Sequence, residues 1–139
     1  FVATGEFNLQ ALWLAVPIGL ITVGILHANN ARDTEHDKRA DIKTFAMLIG
    51  KKASAQLYCV EVLLPFAWII AGCMLGVFPW WSMLVLPALK PAADNVSGAL
   101  RFPKEGAQAL WGVDEATAKL QLIFSLLLTL SLIIATYAR

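Results

Sequence analysis

The feature that most limits how this chain can fold is its long stretches without charge. Residues 9 to 28 contain no charged side chain and are dominated by Leu, Ile and Val. About 20 apolar residues in a helix are enough to cross the hydrocarbon core of a bilayer. The whole chain is 58% hydrophobic and only 15% charged, and a soluble domain of this length would carry more charge. We therefore predict an all-α polytopic membrane protein embedded in the lipid bilayer.

Four transmembrane spans are predicted, at about 9–28, 53–77, 81–100 and 116–137. The third span is the least hydrophobic, and a loop with glycine and proline breakers follows it. Asp114 is the expected N-cap of the fourth span. Basic residues concentrate in 29–56 and in the loop before the fourth span, which places both on the cytoplasmic side. We expect one multi-pass domain over residues 1–139, in a bacterial inner (plasma) membrane.

A charged segment, residues 29–44, directly follows the first span. Asn29, Asp33, Asp37 and Asp41 recur at every fourth position, and on a helix this spacing drifts by only about 40° per step. Three carboxylates on one such stripe repel each other, and a hard divalent cation with oxygen ligands would relieve that repulsion. Since basic residues occupy intervening positions, the segment predicts a site for a metal-bridged polyanion, most simply a diphosphate.

Other kinds of site are weakly indicated. The net charge of +1 does not favour nucleic acid as a partner. Cys59 and Cys73 fall in one predicted helix, about 21 Å apart, which is too far for a disulfide. His27 and His36 lack zinc-type partners and are expected at the membrane interface and at the surface, respectively. The sequence contains no glycine-rich phosphate loop, and its spacing ties no nucleophile to a base.

The same segment carries a family resemblance. The run Asn29-Asn30-x-Arg32-Asp33-x-x-x-Asp37, continued by Lys43-Thr44 and Leu48-Ile49-Gly50, resembles the second aspartate-rich motif of the UbiA superfamily of intramembrane prenyltransferases. The double asparagine followed by Arg-Asp is most similar to the menaquinone branch, the 1,4-dihydroxy-2-naphthoate polyprenyltransferases. Thr117-Ala118-Lys119-Leu120, which opens the last span, is also similar to that branch.

The resemblance implies a bundle of about nine helices, of which this chain would supply the last four. It implies Mg²⁺-dependent transfer of a prenyl group from a polyprenyl diphosphate to an aromatic acceptor, with decarboxylation in the menaquinone branch. Asp33 and Asp37 would be catalytic metal ligands, and Asn29 and Asn30 would shape the same metal site. The diphosphate would be bound by basic residues, Arg32 and Lys43.

Asp41 is where the chain departs from the family, which usually has Gly at this position. The stripe makes Asp41 a third metal ligand, whereas the family pattern makes it a turn residue.

Five further residues are candidates of a second kind, because ionisable groups within a span usually face a cavity or a partner. Lys90 and Asp94 either line a cavity or form a neutralising pair, and Arg101 continues their face to a possible diphosphate contact. Tyr58 and Glu61 either line the cavity or form an interfacial pair.

Alternative interpretations stay open at this point. The acceptor could be 4-hydroxybenzoate, homogentisate, haem or chlorophyllide, or the chain could be a non-catalytic membrane fragment. Phosphatidyltransferases also place aspartates at a membrane surface, but their pattern needs an Asp-Gly pair that this sequence lacks. The chain begins without Met and lacks the family's first aspartate-rich motif. We therefore expect it to be a C-terminal half, inactive alone, with the remaining N-terminal half of the fold as its partner.

Overall fold

The computed structural model describes residues 5–6 and 8–138. Within these ranges the chain is helical and contains no strand, which confirms the all-α prediction. The five α-helices are α1 (Leu9–Arg32), α2 (Thr34–Arg39), α3 (Phe45–Met74), α4 (Leu89–Glu105) and α5 (Val113–Tyr137). Two 3₁₀ segments, Trp80–Ala88 and Gly106–Leu110, flank α4.

In the described part of the chain, three helices are long and apolar enough to cross a membrane, namely α1, α3 and α5, with 24, 30 and 25 residues. At 1.5 Å per residue they measure roughly 36 to 45 Å, which exceeds the hydrocarbon thickness. The predicted spans 9–28 and 116–137 fall on α1 and α5, and the span 53–77 falls on α3 except for its last three residues. The first helix continues beyond its predicted span to Arg32, and it therefore carries the start of the charged segment.

The predicted third span, 81–100, is not among the candidate spans, so the count of four is not confirmed. The region divides into the 3₁₀ segment Trp80–Ala88 and α4. Every third residue of the 3₁₀ segment is buried (Ser82, Val85 and Ala88), as expected for three residues per turn. Because α4 carries charged side chains beside its buried stripe, its composition is that of an amphipathic helix.

A kink interrupts α3 near its start. Gly50 has φ 79° and ψ 166°, a backbone region that is essentially restricted to glycine. A short helical piece that begins at Phe45 therefore precedes the membrane helix proper. The predicted span at 53–77 begins after this kink.

The core lies between α1, α3 and α5. Ile21, Val62 and Leu120 are fully buried where these helices meet, and the rings of Phe66 and Phe124 pack edge to face at 5.3 Å. This packing holds the last turns of α1 against both α3 and α5, which fixes the position of the charged segment.

Candidate functional site

The charged segment bends where α1 ends. Asp33 leaves the helix with φ −87° and ψ 7°, although its N–H still donates to the Asn29 carbonyl at 3.0 Å. The Thr34 hydroxyl bonds back to the Ala31 carbonyl at 2.8 Å. The predicted single helical stripe is therefore interrupted at Asp33, and the chain continues in a second helix, α2.

The segment after α2 closes in a Schellman turn. The Ile42 N–H donates to the Asp37 carbonyl at 2.9 Å, and the Asp41 N–H donates to the Lys38 carbonyl at 3.3 Å. This pattern requires a left-handed residue just after the helix, usually Gly, and Asp41 holds that place with φ 56°. The prediction that Asp41 shares a helical stripe with Asp33 and Asp37 is wrong, because α2 ends before it.

Arg32 connects the groups at the end of α1. Its Nε and Nη2 donate to the two carboxylate oxygens of Asp33 at 2.8 and 3.1 Å. Its Nη1 donates to Asp114 at 2.6 Å, and its Nη2 also donates to the Asn29 side-chain oxygen at 2.5 Å. Asp114, which the sequence predicts as an N-cap, instead lies in the first turn of α5 and ties that helix to α1.

These contacts stabilise the ionised form of Asp33. The hydrogen bond from Arg32 lowers the pKa of the Asp33 carboxyl below its ordinary value, against a smaller opposing effect of burial. Asp33 is therefore ionised at neutral pH, as a metal ligand must be.

A recess of about 580 Å³ opens beside this cluster. It is lined by Arg32, Asp33, Glu35, His36, Arg39, Trp111 and Gly112. Two guanidinium groups, from Arg32 and Arg39, and two carboxylates, from Asp33 and Glu35, line the same recess, and this mixture suits a polyanion that is accompanied by a cation. Arg39 and Trp111 were not among the predicted site residues. Arg39 belongs to the visible basic run, but no spacing rule links Trp111 to a segment about 80 residues earlier.

Several predicted residues lie outside the recess. Asp37 is the nearest along the chain; its side chain is largely covered, and one oxygen lies 4.0 Å from His36 Nδ1. Lys43 is exposed after the Schellman turn. Arg101 pairs with Glu105 on α4 at 3.5 Å. The roles assigned to Asp37, Lys43 and Arg101 stay predictions.

Lys90 and Asp94 form the neutralising pair that their spacing suggests, with 3.6 Å between Nζ and Oδ2. Both side chains are strongly exposed on α4. A cavity-lining role for this pair stays a prediction.

A buried polar network links α1 to α3. His27, expected at the interface, is instead buried, and its Nδ1 donates to both oxygens of Glu61 at 2.9 and 3.0 Å. Its Nε2 lies 2.7 Å from the Ser54 hydroxyl. The interfacial Tyr58–Glu61 pair is not formed, since Tyr58 bonds Thr117 at 2.6 Å. Sequence reasoning missed this network because its members are 27 and 34 positions apart.

Two cavities adjoin the network. One of about 130 Å³ is lined by residues of α1 and α3 that include His27, Asn30 and Glu61. A much smaller one, of about 10 Å³, includes Ser54 and Tyr58 in its lining. Glu61 thus lines a cavity that is large enough to hold a small chemical group. The cavity that Tyr58 lines is too small to hold one.

The donors available for a metal are oxygen atoms. No group of three or more His, Cys, Asp or Glu side chains in the described part of the chain is arranged to hold a metal ion. Of the predicted ligands, Asp33 lines the recess and Asp37 does not, and the Asn29 side chain contacts Arg32. Carboxylate and amide oxygens are the kind of ligand that Mg²⁺ accepts, since it keeps several waters and shares its coordination with substrate phosphates, and Mg²⁺ binding here stays a prediction.

Comparison with known proteins places these observations in a family. A sequence model described as the UbiA prenyltransferase family matches residues 1–96. A Drosophila melanogaster protein named UbiA prenyltransferase domain-containing protein 1 homolog is 37% identical over 125 residues, covering 89% of this chain and 33% of its own length. The human UbiA prenyltransferase domain-containing protein 1 is 33% identical over 138 residues, covering 96% and 37%.

A Bacillus subtilis (strain 168) protein, 1,4-dihydroxy-2-naphthoate octaprenyltransferase, is 26% identical over 139 residues, covering 99% of this chain and 43% of its own length. The chain thus spans between about a third and two fifths of the length of these relatives. No solved structure matches the chain significantly.

Proposed function

Because the chain belongs to the UbiA prenyltransferase family, we propose that it carries part of the active site of a membrane enzyme that transfers a polyprenyl group from a polyprenyl diphosphate to an aromatic acceptor. The observation that carries this proposal is the recess at the end of α1, which is lined by the guanidinium groups of Arg32 and Arg39 and by the Asp33 carboxylate, together with Glu35. A diphosphate needs positive charge around it, and a cation that accompanies it needs an oxygen ligand.

In the proposed reaction, the C–O bond between the allylic carbon and the diphosphate breaks, and the diphosphate leaves with the electron pair. A ring carbon of the acceptor bonds to that allylic carbon and loses its proton, or its carboxyl group as carbon dioxide. Arg32 and Arg39 stabilise the negative charge that grows on the departing diphosphate. Arg32 also holds Asp33 in place through two parallel hydrogen bonds.

We assign Mg²⁺ to Asp33 and Asp37, with Asn29 and Asn30 shaping the site. When bound, Mg²⁺ would supply further positive charge for the leaving group. In this arrangement Arg32 orients two of these residues, because it donates to both Asp33 and Asn29.

We propose 1,4-dihydroxy-2-naphthoate as the acceptor, whose ring carbon loses carbon dioxide as the new bond forms. Support comes from the motif resemblance and from the Bacillus relative, which matches 99% of this chain. A different aromatic acceptor is the second candidate. It is favoured by the higher identity, 33 to 37%, to relatives whose names specify no acceptor.

We further propose that residues 29–44 face the cytoplasm of a bacterial inner membrane, since most basic residues lie there and before α5. Labelling of single cysteines placed in this segment, in intact cells and in open membranes, tests the orientation. Labelling in intact cells by an impermeant reagent would contradict it.

A transfer assay of the full-length protein tests the function. The protein is incubated in detergent or nanodiscs with Mg²⁺, a polyprenyl diphosphate and a panel of aromatic acceptors. We expect Mg²⁺-dependent release of diphosphate, a prenylated ring, and carbon dioxide when the acceptor is the naphthoate.

The matched variants are Asp33→Asn and Glu115→Gln. The first removes a carboxylate from the recess, and we expect a loss in kcat/KM of at least about a hundredfold. The second removes the charge of an exposed carboxylate that pairs with Lys119 on α5 and should change the rate little. Absence of turnover with every acceptor, or equal rates for the two variants, would contradict the proposal.

A further inference from the structure

The 130 Å³ cavity between α1 and α3 has the size and chemistry of a site for one substituted aromatic ring. Its apolar lining comes from Val23, Leu26 and Phe45, and its polar lining from Asn30, His27 and Glu61. A cavity of about 150 Å³ with apolar walls is known to accept benzene. The volume therefore suits the hydroxyl-bearing ring of the acceptor, and the polar groups suit its hydroxyl substituents. The second ring of a naphthoate would extend past Val23, Leu26 and Phe45, whose side chains are exposed.

Glu61 is held ready to accept a hydrogen bond. Its side chain is almost fully buried, and both of its oxygens contact one nitrogen, His27 Nδ1. A carboxylate offers about four lone-pair positions, so acceptor capacity remains on each oxygen. Since Glu61 lines the cavity, a ring hydroxyl placed there has a charged acceptor in reach.

His27 and Ser54 fix the direction of that carboxylate. His27 is itself buried, and its second ring nitrogen is bound to the Ser54 hydroxyl at 2.7 Å. A ring held at both nitrogens cannot turn without breaking one buried hydrogen bond, which is costly. His27 on α1 thus holds the Glu61 carboxylate on α3 in a fixed orientation.

Asn30 connects this cavity to the charged segment. Its side chain lines the same cavity as Glu61. Along α1, His27 lies about 9 Å before Asp33, at 1.5 Å per residue. A ring in the cavity would therefore lie deeper in the membrane region than a diphosphate bound at the recess.

We propose that this cavity is the acceptor subsite, in which Glu61 accepts a hydrogen bond from a hydroxyl of the aromatic acceptor and His27 positions Glu61. This assignment rests on the proposed function, because the subsite binds the acceptor of that reaction. It explains why a charged residue is kept within a helix that otherwise suits a bilayer, where such residues are expensive.

The test measures acceptor binding apart from transfer. Full-length protein in nanodiscs, without Mg²⁺ or polyprenyl diphosphate, is equilibrated with labelled 1,4-dihydroxy-2-naphthoate and, separately, with its 1,4-dimethoxy analogue. Wild type should bind the dihydroxy compound about tenfold to a hundredfold more tightly, which is the range expected for a hydrogen bond to a charged acceptor. Equal affinity for the two compounds would overturn the subsite without any variant.

The variant arm uses Glu61→Gln, with Ser131→Ala as the control for losing a buried polar group elsewhere, on α5. We expect Glu61→Gln to bind the two compounds alike and, in the transfer assay, to raise the acceptor KM at least tenfold with an unchanged KM for polyprenyl diphosphate. Ser131→Ala should keep the wild-type preference. A wild-type preference retained in Glu61→Gln would overturn the assignment.

The two proposals fail in different ways. Protein that binds the dihydroxy compound selectively through Glu61 but transfers nothing with any acceptor would refute the proposed function and leave the binding site standing. Protein that transfers normally, with Glu61→Gln indistinguishable from wild type, would refute the subsite and leave the function standing.

Discussion

Replacement of Asp41 separates the two roles that its position in the sequence suggests, a turn residue and a metal ligand. As the left-handed residue of a Schellman turn, Asp41 pays a conformational cost that Gly would not pay. That cost is about 1–2 kcal/mol for an ordinary L-residue and less for Asp, whose short polar side chain tolerates this conformation. A glycine at this position lowers the unfolding free energy by about 0.5–1 kcal/mol, because its unfolded chain has more conformational freedom to lose on folding. We therefore expect Asp41→Gly to raise the unfolding free energy by about 0.5 kcal/mol.

Asp41→Ala provides the opposite change at the same backbone position. Ala has neither the freedom of Gly nor the local hydrogen bonding of Asp, so we expect a loss of about 0.5–1 kcal/mol. The difference between the Gly and Ala variants should then be about 1–1.5 kcal/mol. Denaturant unfolding of the full-length protein in detergent measures it. Hydrogen exchange at the Asp41 and Ile42 amides, both bonded to α2, shows whether the change is local.

The catalytic comparison is made on the same proteins. Asp41→Gly should leave the Mg²⁺ concentration for half-maximal transfer unchanged, whereas Asp37→Asn should raise it at least tenfold, or about 1.4 kcal/mol. The reasoning would be refuted if Asp41→Gly weakened the Mg²⁺ response as much as Asp37→Asn did. It would also be refuted if the Gly variant were less stable than the Ala variant.

Two further predictions concern the framework around the site. Asp114→Asn removes the carboxylate that Arg32 holds at 2.6 Å, so the free energy of unfolding in detergent should fall by about 1–2 kcal/mol. Glu115→Gln changes the exposed neighbour and should alter that free energy by less than about 0.5 kcal/mol. Equal effects of the two variants would contradict a stabilising contact between Arg32 and Asp114. Gly50→Ala places a side chain on a backbone that only glycine adopts and should cost about 1–3 kcal/mol. The control is Gly19→Ala, where the added methyl group enters open space on α1. It should leave stability unchanged or raise it by up to about 1 kcal/mol in the same thermal or denaturant assay. A Gly50→Ala variant as stable as Gly19→Ala would contradict the glycine-only backbone at position 50.

The sequence predicts the long helices well because membrane spans leave few choices. Stretches of uncharged residues such as 9–28 must be helical to satisfy their backbone in hydrocarbon, and α1, α3 and α5 match them. The predicted span 81–100 is not confirmed, and it divides into two different helices. The 3₁₀ repeat of three and the charges of α4 are visible in the residues, but a window about 20 residues long merges them.

The site is less predictable because its contacts join distant positions. The motif at 29–44 shows which residue types are present, yet not that α1 ends at Arg32 or that Asp114 closes the cluster from α5. His27 looks interfacial from its place at the end of a span. It is buried only because Glu61 and Ser54 face it from α3, and a buried polar group is stable only with such partners.

The two polar clusters hold the same end of α1 from different sides. Arg32 ties the last turn of α1 to α5 through Asp114, while His27, about one turn earlier, ties it to α3 through Glu61. Asn29 and Asn30 lie between these two ties, so their backbone is fixed by both neighbouring helices. A helix end held in this way can present Asp33 to the recess and Asn30 to the cavity at a constant separation. Constant separation between a charged site and a ring site is what a reaction between two bound substrates requires.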